Sequence, residues 1–121
     1  MKPASRFRID ERSEARDRIL KFEGTADILC LQAVQDLFAR LRNDSLRLVV
    51  IDLAATSFIN SPVWAVITLY ARKAAPATPV VIVGMPDRIR GSFEMMGLQR
   101  ELRTYPTLEA ARLDLGLPAA E

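Results

Sequence analysis

The chain opens on alternation. Arg6-Phe7-Arg8-Ile9-Asp10 places an apolar side chain at every second position, the period of a strand with one face in water. The polar stretch Glu11–Arg16 reads as a turn. Asp17-Arg18-Ile19-Leu20-Lys21-Phe22-Glu23, closed by Gly24, reads as the second strand of a hairpin. The period then changes. Between Ala26 and Arg42, Leu29, Ala33, Val34, Leu37, Phe38 and Leu41 recur at three- and four-residue steps, which predicts a helix with Asp27 at its N-cap. Arg40 and Arg42 sit near its end, where cations suit the helix dipole, and Asn43-Asp44-Ser45 breaks it. Two runs, Arg47–Leu53 and Val80–Val83, are apolar almost throughout, the composition of strands covered on both faces of a sheet.

Between those runs, Ala54–Ser57 reads as a connection and Ser61 to Ala74 as a helix apolar over most of its circumference. A third helix starts near Pro86-Asp87, carries Ile89, Phe93 and Met96 on one stripe, and stops at Gly97. Leu102–Tyr105 reads as a short edge strand and Thr107–Leu113 as a last, capped helix. Strands alternating with helices predict an α/β fold: a central sheet of about four to five strands, mixed but largely parallel, with about four helices packed on it.

A length of 121 residues allows one domain, 1–121. No apolar run approaches the roughly 18–20 residues needed to cross a bilayer, so no membrane insertion is expected. The charged N-terminus has no apolar segment behind it, so no signal peptide is expected and the cytoplasm is the default compartment. The single cysteine, Cys30, sits among Ile28, Leu29 and Leu31 and reads as a small core residue. The net charge is +2, and the densest arginine group (Arg6, Arg8, Arg12, Arg16, Arg18) is interrupted by Asp10, Glu11, Glu14 and Asp17. That mixture is a solvated surface and no footprint for nucleic acid. The chain has no histidine, which removes the commonest general base and metal ligand together, and one cysteine cannot build a thiolate zinc site. Scattered glycines match no phosphate-binding loop. The sequence therefore predicts no enzyme, no cofactor and no metal.

The chemistry concentrates at one junction. Phe58-Ile59-Asn60-Ser61-Pro62-Val63-Trp64 joins an apolar strand to an apolar helix. Pro62 suits a first helical turn, which places Ser61 before it at the N-cap, its hydroxyl at a surface corner and at the positive end of a helix. Trp64 has two readings, an exposed anchor for a partner or core filling against Val80–Val83. Met96 belongs to the core stripe, and Met95 is the methionine expected at the surface.

Three blocks, in this order and spacing, resemble the STAS domain family of bacterial anti-sigma factor antagonists and of sulfate-transporter cytoplasmic ends. They are Phe22-Glu23-Gly24-Thr25-Ala26-Asp27; Val49-Val50-Ile51-Asp52-Leu53 with Phe58-Ile59-Asn60-Ser61; and Met96-Gly97-Leu98 followed by Tyr105-Pro106-Thr107-Leu108-Glu109-Ala110-Ala111. The resemblance spans about residues 6–115. It implies a STAS-like sheet and a role as an antagonist that binds an anti-sigma factor, itself a serine kinase, and frees a sigma factor. It makes Ser61 the phosphoacceptor, and it makes Asp27, Asn60, Pro62, Val63 and Trp64 candidates for contact with the kinase; Met95 joins them on its own expected exposure, as an adaptable partner contact. ATP belongs to that partner. The family pattern of Asp-Ser-(Ser/Thr/Ala)-Gly-Leu is altered here: Asn60 carries no charge, Val63 stands where a glycine is usual, and Trp64 adds a large ring. These departures favour an alternative, a STAS scaffold or accessory subunit of a signalling or membrane-transport assembly, without phosphorylation. The oligomeric state stays open, a homodimer included.

Overall fold

A computed structural model describes residues 7–118. Its strands are β1 (Arg8–Glu14), β2 (Asp17–Ala26), β3 (Leu48–Ile59), β4 (Val80–Val83) and β5 (Arg103–Tyr105). Its helices are α1 (Leu31–Leu41), α2 (Ser61–Ala74), α3 (Asp87–Met95) and α4 (Leu108–Leu115), with single 3-10 turns at Ile28–Cys30 and Leu98–Arg100. The strands lie side by side in chain order. β1 is antiparallel to β2, and each later strand is parallel to the one before it. The predicted α/β sheet, largely parallel and carrying four helices, is the observed one.

That order dictates where the helices go. Three successive parallel crossovers step in the same direction, and right-handed crossovers then place all three helices on one face. The core divides accordingly. Val34, Leu37 and Phe38 of α1, Val63, Trp64 and Ile67 of α2, and Ile89 and Phe93 of α3 pack with Leu20, Phe22, Val49, Ile51, Leu53 and Ile82. The alternate strand residues Ile19, Leu48, Val50, Val81 and Val83 point the other way, where Ala111, Leu108 and Leu115 of α4 cover them. Strands coated on both faces need the near-continuous apolar runs seen in β3 and β4.

Several boundaries differ from the sequence reading, each for a physical reason. β1 runs through Glu11–Glu14 and pairs as far as Glu14 with Asp17, so the turn is only Ala15-Arg16, with Ala15 at φ 55°. An exposed edge strand needs no apolar alternation, and salt bridges from Arg18 and Arg40 to Glu11 hold its polar residues. β2 continues past Gly24, whose φ of 95° sits between two register shifts. β3 continues through Ala54–Ser57, pairing with that extension of β2. Buried Thr56 donates its hydroxyl to the Phe22 carbonyl at 2.7 Å, satisfying a backbone acceptor at the irregularity. The first helix starts late: Asp27 caps the 3-10 turn instead, which leaves Leu29 exposed, and Ala33 falls on the solvent side of α1.

The hairpin is tied to α4 through Asp17, which is fully buried. Its carboxylate receives two bonds from Arg47, at 2.8 and 2.6 Å, and one from Arg112 at 3.0 Å; Arg112 also reaches Glu14 at 2.9 Å. Burial pushes the Asp17 carboxyl up, but the two guanidinium groups outweigh it and hold the group below its ordinary value.

Candidate functional site

The carboxyl ends of β2 and β3 lie together, Ala26 beside Ile59, and the chain turns into helices from both. The Asn60 N–H donates to the Ala26 carbonyl at 3.0 Å, which fixes the end of β3. The Asn60 backbone is extended (φ −84°, ψ 167°), and its side-chain Oδ1 accepts the Val63 N–H at 3.1 Å. Asn60 is thus the N-cap of α2, and the assignment of that role to Ser61 is corrected. Ser61 is the first helical residue and Pro62 the second. The Trp64 N–H bonds the Asn60 carbonyl at 3.1 Å, and Pro62 has no N–H to satisfy.

Ser61 and Pro62 are exposed. Next to them, across the β2–β3 pair, Asp27 is partly buried and accepts the Leu29 N–H at 3.0 Å. The turn it caps presents Ile28 and Leu29 to solvent, and Phe58 at the end of β3 is half exposed. Sequence periodicity assigned Leu29 to a helix core, and only the late start of α1 reveals it as surface.

The other candidates separate. Val63 is fully buried and Trp64 is 1% exposed, its ring 5.4 Å from that of Phe93. Their side chains are core, which withdraws them from a partner-facing surface; Trp64 packs on Phe93 of α3 and belongs to the same core cluster as Val80 and Ile82. Met95 is 88% exposed at the end of α3. Met96 is not core: it is 43% exposed and lines a groove with Ser61, Ala65, Leu69 and Leu98. Cys30 is buried, and its thiol lies 3.1 Å from the Asp27 carbonyl. Burial, and then the Asp27 charge, push that thiol up. Among the described residues no His, Cys, Asp and Glu group could hold a metal ion, and no helix is long and apolar enough to cross a membrane.

The sheet is mixed and largely parallel, with helices on both faces and exposed Ser61 on the first turn of α2, an architecture of the α/β class. The STAS domain model matches residues 8–111, and the chain belongs to the STAS domain family. Solved structures share the fold. An anti-sigma factor antagonist from Mycobacterium paratuberculosis superposes with a TM-score of 0.84 at 20% identity, covering 96% of this chain and 99% of that one. A STAS domain protein from Planctomyces limnophilus gives 0.74 at 15% identity, covering 89% and 97%. The Bacillus cell fate determinant SpoIIAA in its phosphorylated form gives 0.62 at 13% identity, covering 90% and 98%. No curated protein sequence matches the chain.

Proposed function

We propose that this protein is an anti-sigma factor antagonist acting by partner switching, with Ser61 as its phosphoacceptor and an anti-sigma serine kinase as its partner. The observation that carries the reading is the setting of Ser61: a residue exposed on the first turn of α2, at the same end of the sheet as exposed Ile28, Leu29 and Phe58. The fold likeness to antagonists, one of them solved phosphorylated, supports it. The kinase docks on the apolar end of the sheet. The Ser61 oxygen then takes the γ-phosphoryl group of the kinase's ATP: a Ser–O–P bond forms, the P–O bond to ADP breaks, and the hydroxyl proton passes to a base of the kinase. The phosphate adds about −1.5 to −2 charges and three acceptors. It stands at a positive helix end, so the fold tolerates it, but in an apolar interface it is costly and the partner leaves. In this reading the chain itself is no enzyme, and Asp27 and Pro62 border the contact.

The test is intact-mass and peptide mapping over residues 48–72 after incubation with the cognate kinase and Mg-ATP. One added phosphate on Ser61, absent in Ser61→Ala, with loss of kinase binding in Ser61→Asp, is the expected result. An unmodified peptide together with unchanged binding of Ser61→Asp overturns it. The scaffold reading has one observation in its favour: Asn60 is neutral, and its oxygen is already engaged by Val63.

A further inference from the structure

Among the described residues no strand lies beside the outer edge of β1, which runs for 7 residues where the opposite edge, β5, has 3. Its free backbone groups can be assigned. Glu14 and Asp17 flank a tight turn and exchange hydrogen bonds with each other, as do Arg12 with Ile19, Asp10 with Lys21 and Arg8 with Glu23 at alternate steps. The N–H and C=O groups of Ile9, Glu11 and Ser13 therefore point outward. Open edges of this kind are templates for pairing, and a run of one charge would blunt them. Here the charges alternate in sign. Arg8, Asp10, Arg12 and Glu14 form one row on the α4 side of the sheet, while Ile9 packs on the other side against the main core.

We propose that β1 is the interface for a second copy of this chain, the two edges pairing antiparallel about a two-fold axis at Glu11. Glu11 then lies opposite itself, Ile9 opposite Ser13, Asp10 opposite Arg12 and Arg8 opposite Glu14. This register pairs the outward groups of Ile9, Glu11 and Ser13 with those of the second copy, and every charge of the row meets its opposite. The nearest symmetric registers set like charges face to face. An axis at Asp10 puts Arg8 opposite Arg12, and an axis at Arg12 puts Asp10 opposite Glu14; both arrangements are destabilising. The row is self-complementary in the Glu11 register, as an isologous interface must be. Its charges are also available. The Asp10 carboxylate has no partner among the described residues, and Arg8 and Arg12, 75% and 61% exposed, hold surface ion pairs worth little in water. The Glu11 pair on the axis is repulsive, but each carboxylate is already held by Arg18 and Arg40 of its own copy. On the three-helix side a groove of 390 Å³, lined by Ile9, Glu11 and Ala33, leaves the edge unroofed. The inference goes beyond the partner-switching reading and does not rest on it.

The experiment is sedimentation velocity of the full chain at low salt, from micromolar to near-millimolar concentration, where a monomer–dimer equilibrium is expected. Asp10→Arg and Arg12→Asp each turn the Asp10–Arg12 contacts from attractive to repulsive, twice per dimer by symmetry. Each should raise the dissociation constant about 10-fold or more. Mixed in equal amounts, the two variants should dimerise again, because the basic row of one faces the acidic row of the other. The register is read by oxidation. Glu11→Cys should give a disulfide-linked dimer, whereas the two copies of Ser13→Cys, about 13 Å apart along the strands, should not. Cys30 is buried and stays silent. The proposal fails if the wild-type chain is monomeric throughout or if its dimer is indifferent to both reversals. It also fails if the mixture stays monomeric, or if Ser13→Cys cross-links as readily as Glu11→Cys. The cysteine pair decides the matter even where a charge variant does not fold, and no readout involves a kinase or Ser61.

Discussion

Asn60 holds the Val63 amide with its carboxamide oxygen, while its neighbour Ser61 holds nothing and faces solvent. Asn60→Ala should therefore cost about 1 kcal/mol, the usual value of a cap, read as a lower midpoint in urea with unchanged slope. Ser61→Ala should stay within about 0.5 kcal/mol, as for an ordinary surface position. The reverse ranking would restore Ser61 as the cap. Asn60→Asp keeps the acceptor and adds a negative charge at the helix start, so it should stabilise by about 0.3–1 kcal/mol at low salt and less at high salt. The sequence reading gave the cap to Ser61, and wrongly, because Asn60 and Ser61 are both good caps and Pro62 fits the first or the second helical position equally well. What decides is non-local: the Asn60 N–H bonds the Ala26 carbonyl of a strand far away in the chain. Trp64 was ambiguous for a similar reason, since only the approach of α3 encloses it.

Among the elements, β3, β4 and α2 were legible because unbroken apolar runs and a proline-headed helix admit few alternatives. The ends of β1, β2 and β3 were not, since polar edge residues and a ribbon paired across a glycine irregularity carry no periodic signal. The tether between the hairpin and α4 was equally hidden. It joins Asp17 to Arg47 and Arg112, residues that any local window would leave in water. Removing one partner of a buried ion cluster typically costs about 3–5 kcal/mol, so Asp17→Ala should lower the melting temperature far more than Ser61→Ala. The pH dependence has a definite sign. The folded-state Asp17 carboxyl lies below its unfolded value, so its contribution is full above about pH 4 and is lost as pH falls from there through the lowered folded value. Asp17→Asn should flatten that acid limb of a urea-midpoint against pH plot.

The whole molecule is asymmetric: three helices cover one face of the sheet and α4 alone covers apolar residues of the other. Truncation after Tyr105 uncovers Ile19, Leu48, Val50, Val81 and Val83 together. The shortened chain should bind an apolar dye and elute as aggregates in gel filtration; a monomeric, dye-free product would contradict this account of the core. The two ends of the sheet differ as much as its faces. Ser61, Asp27 and the exposed apolar residues share one end, and the Asn43–Ser45 turn lies at the other, where Arg16 and Arg18 hold Ser45 and Asp44. Asn43 is exposed and outside those bonds. Cys30, buried and with its thiol held in the protonated form, reacts poorly. An Asn43→Cys chain therefore accepts a maleimide fluorophore at one chosen place, far from Ser61. If the partner docks at the Ser61 end, as proposed, the anisotropy of that dye follows its arrival and departure in real time from outside the interface.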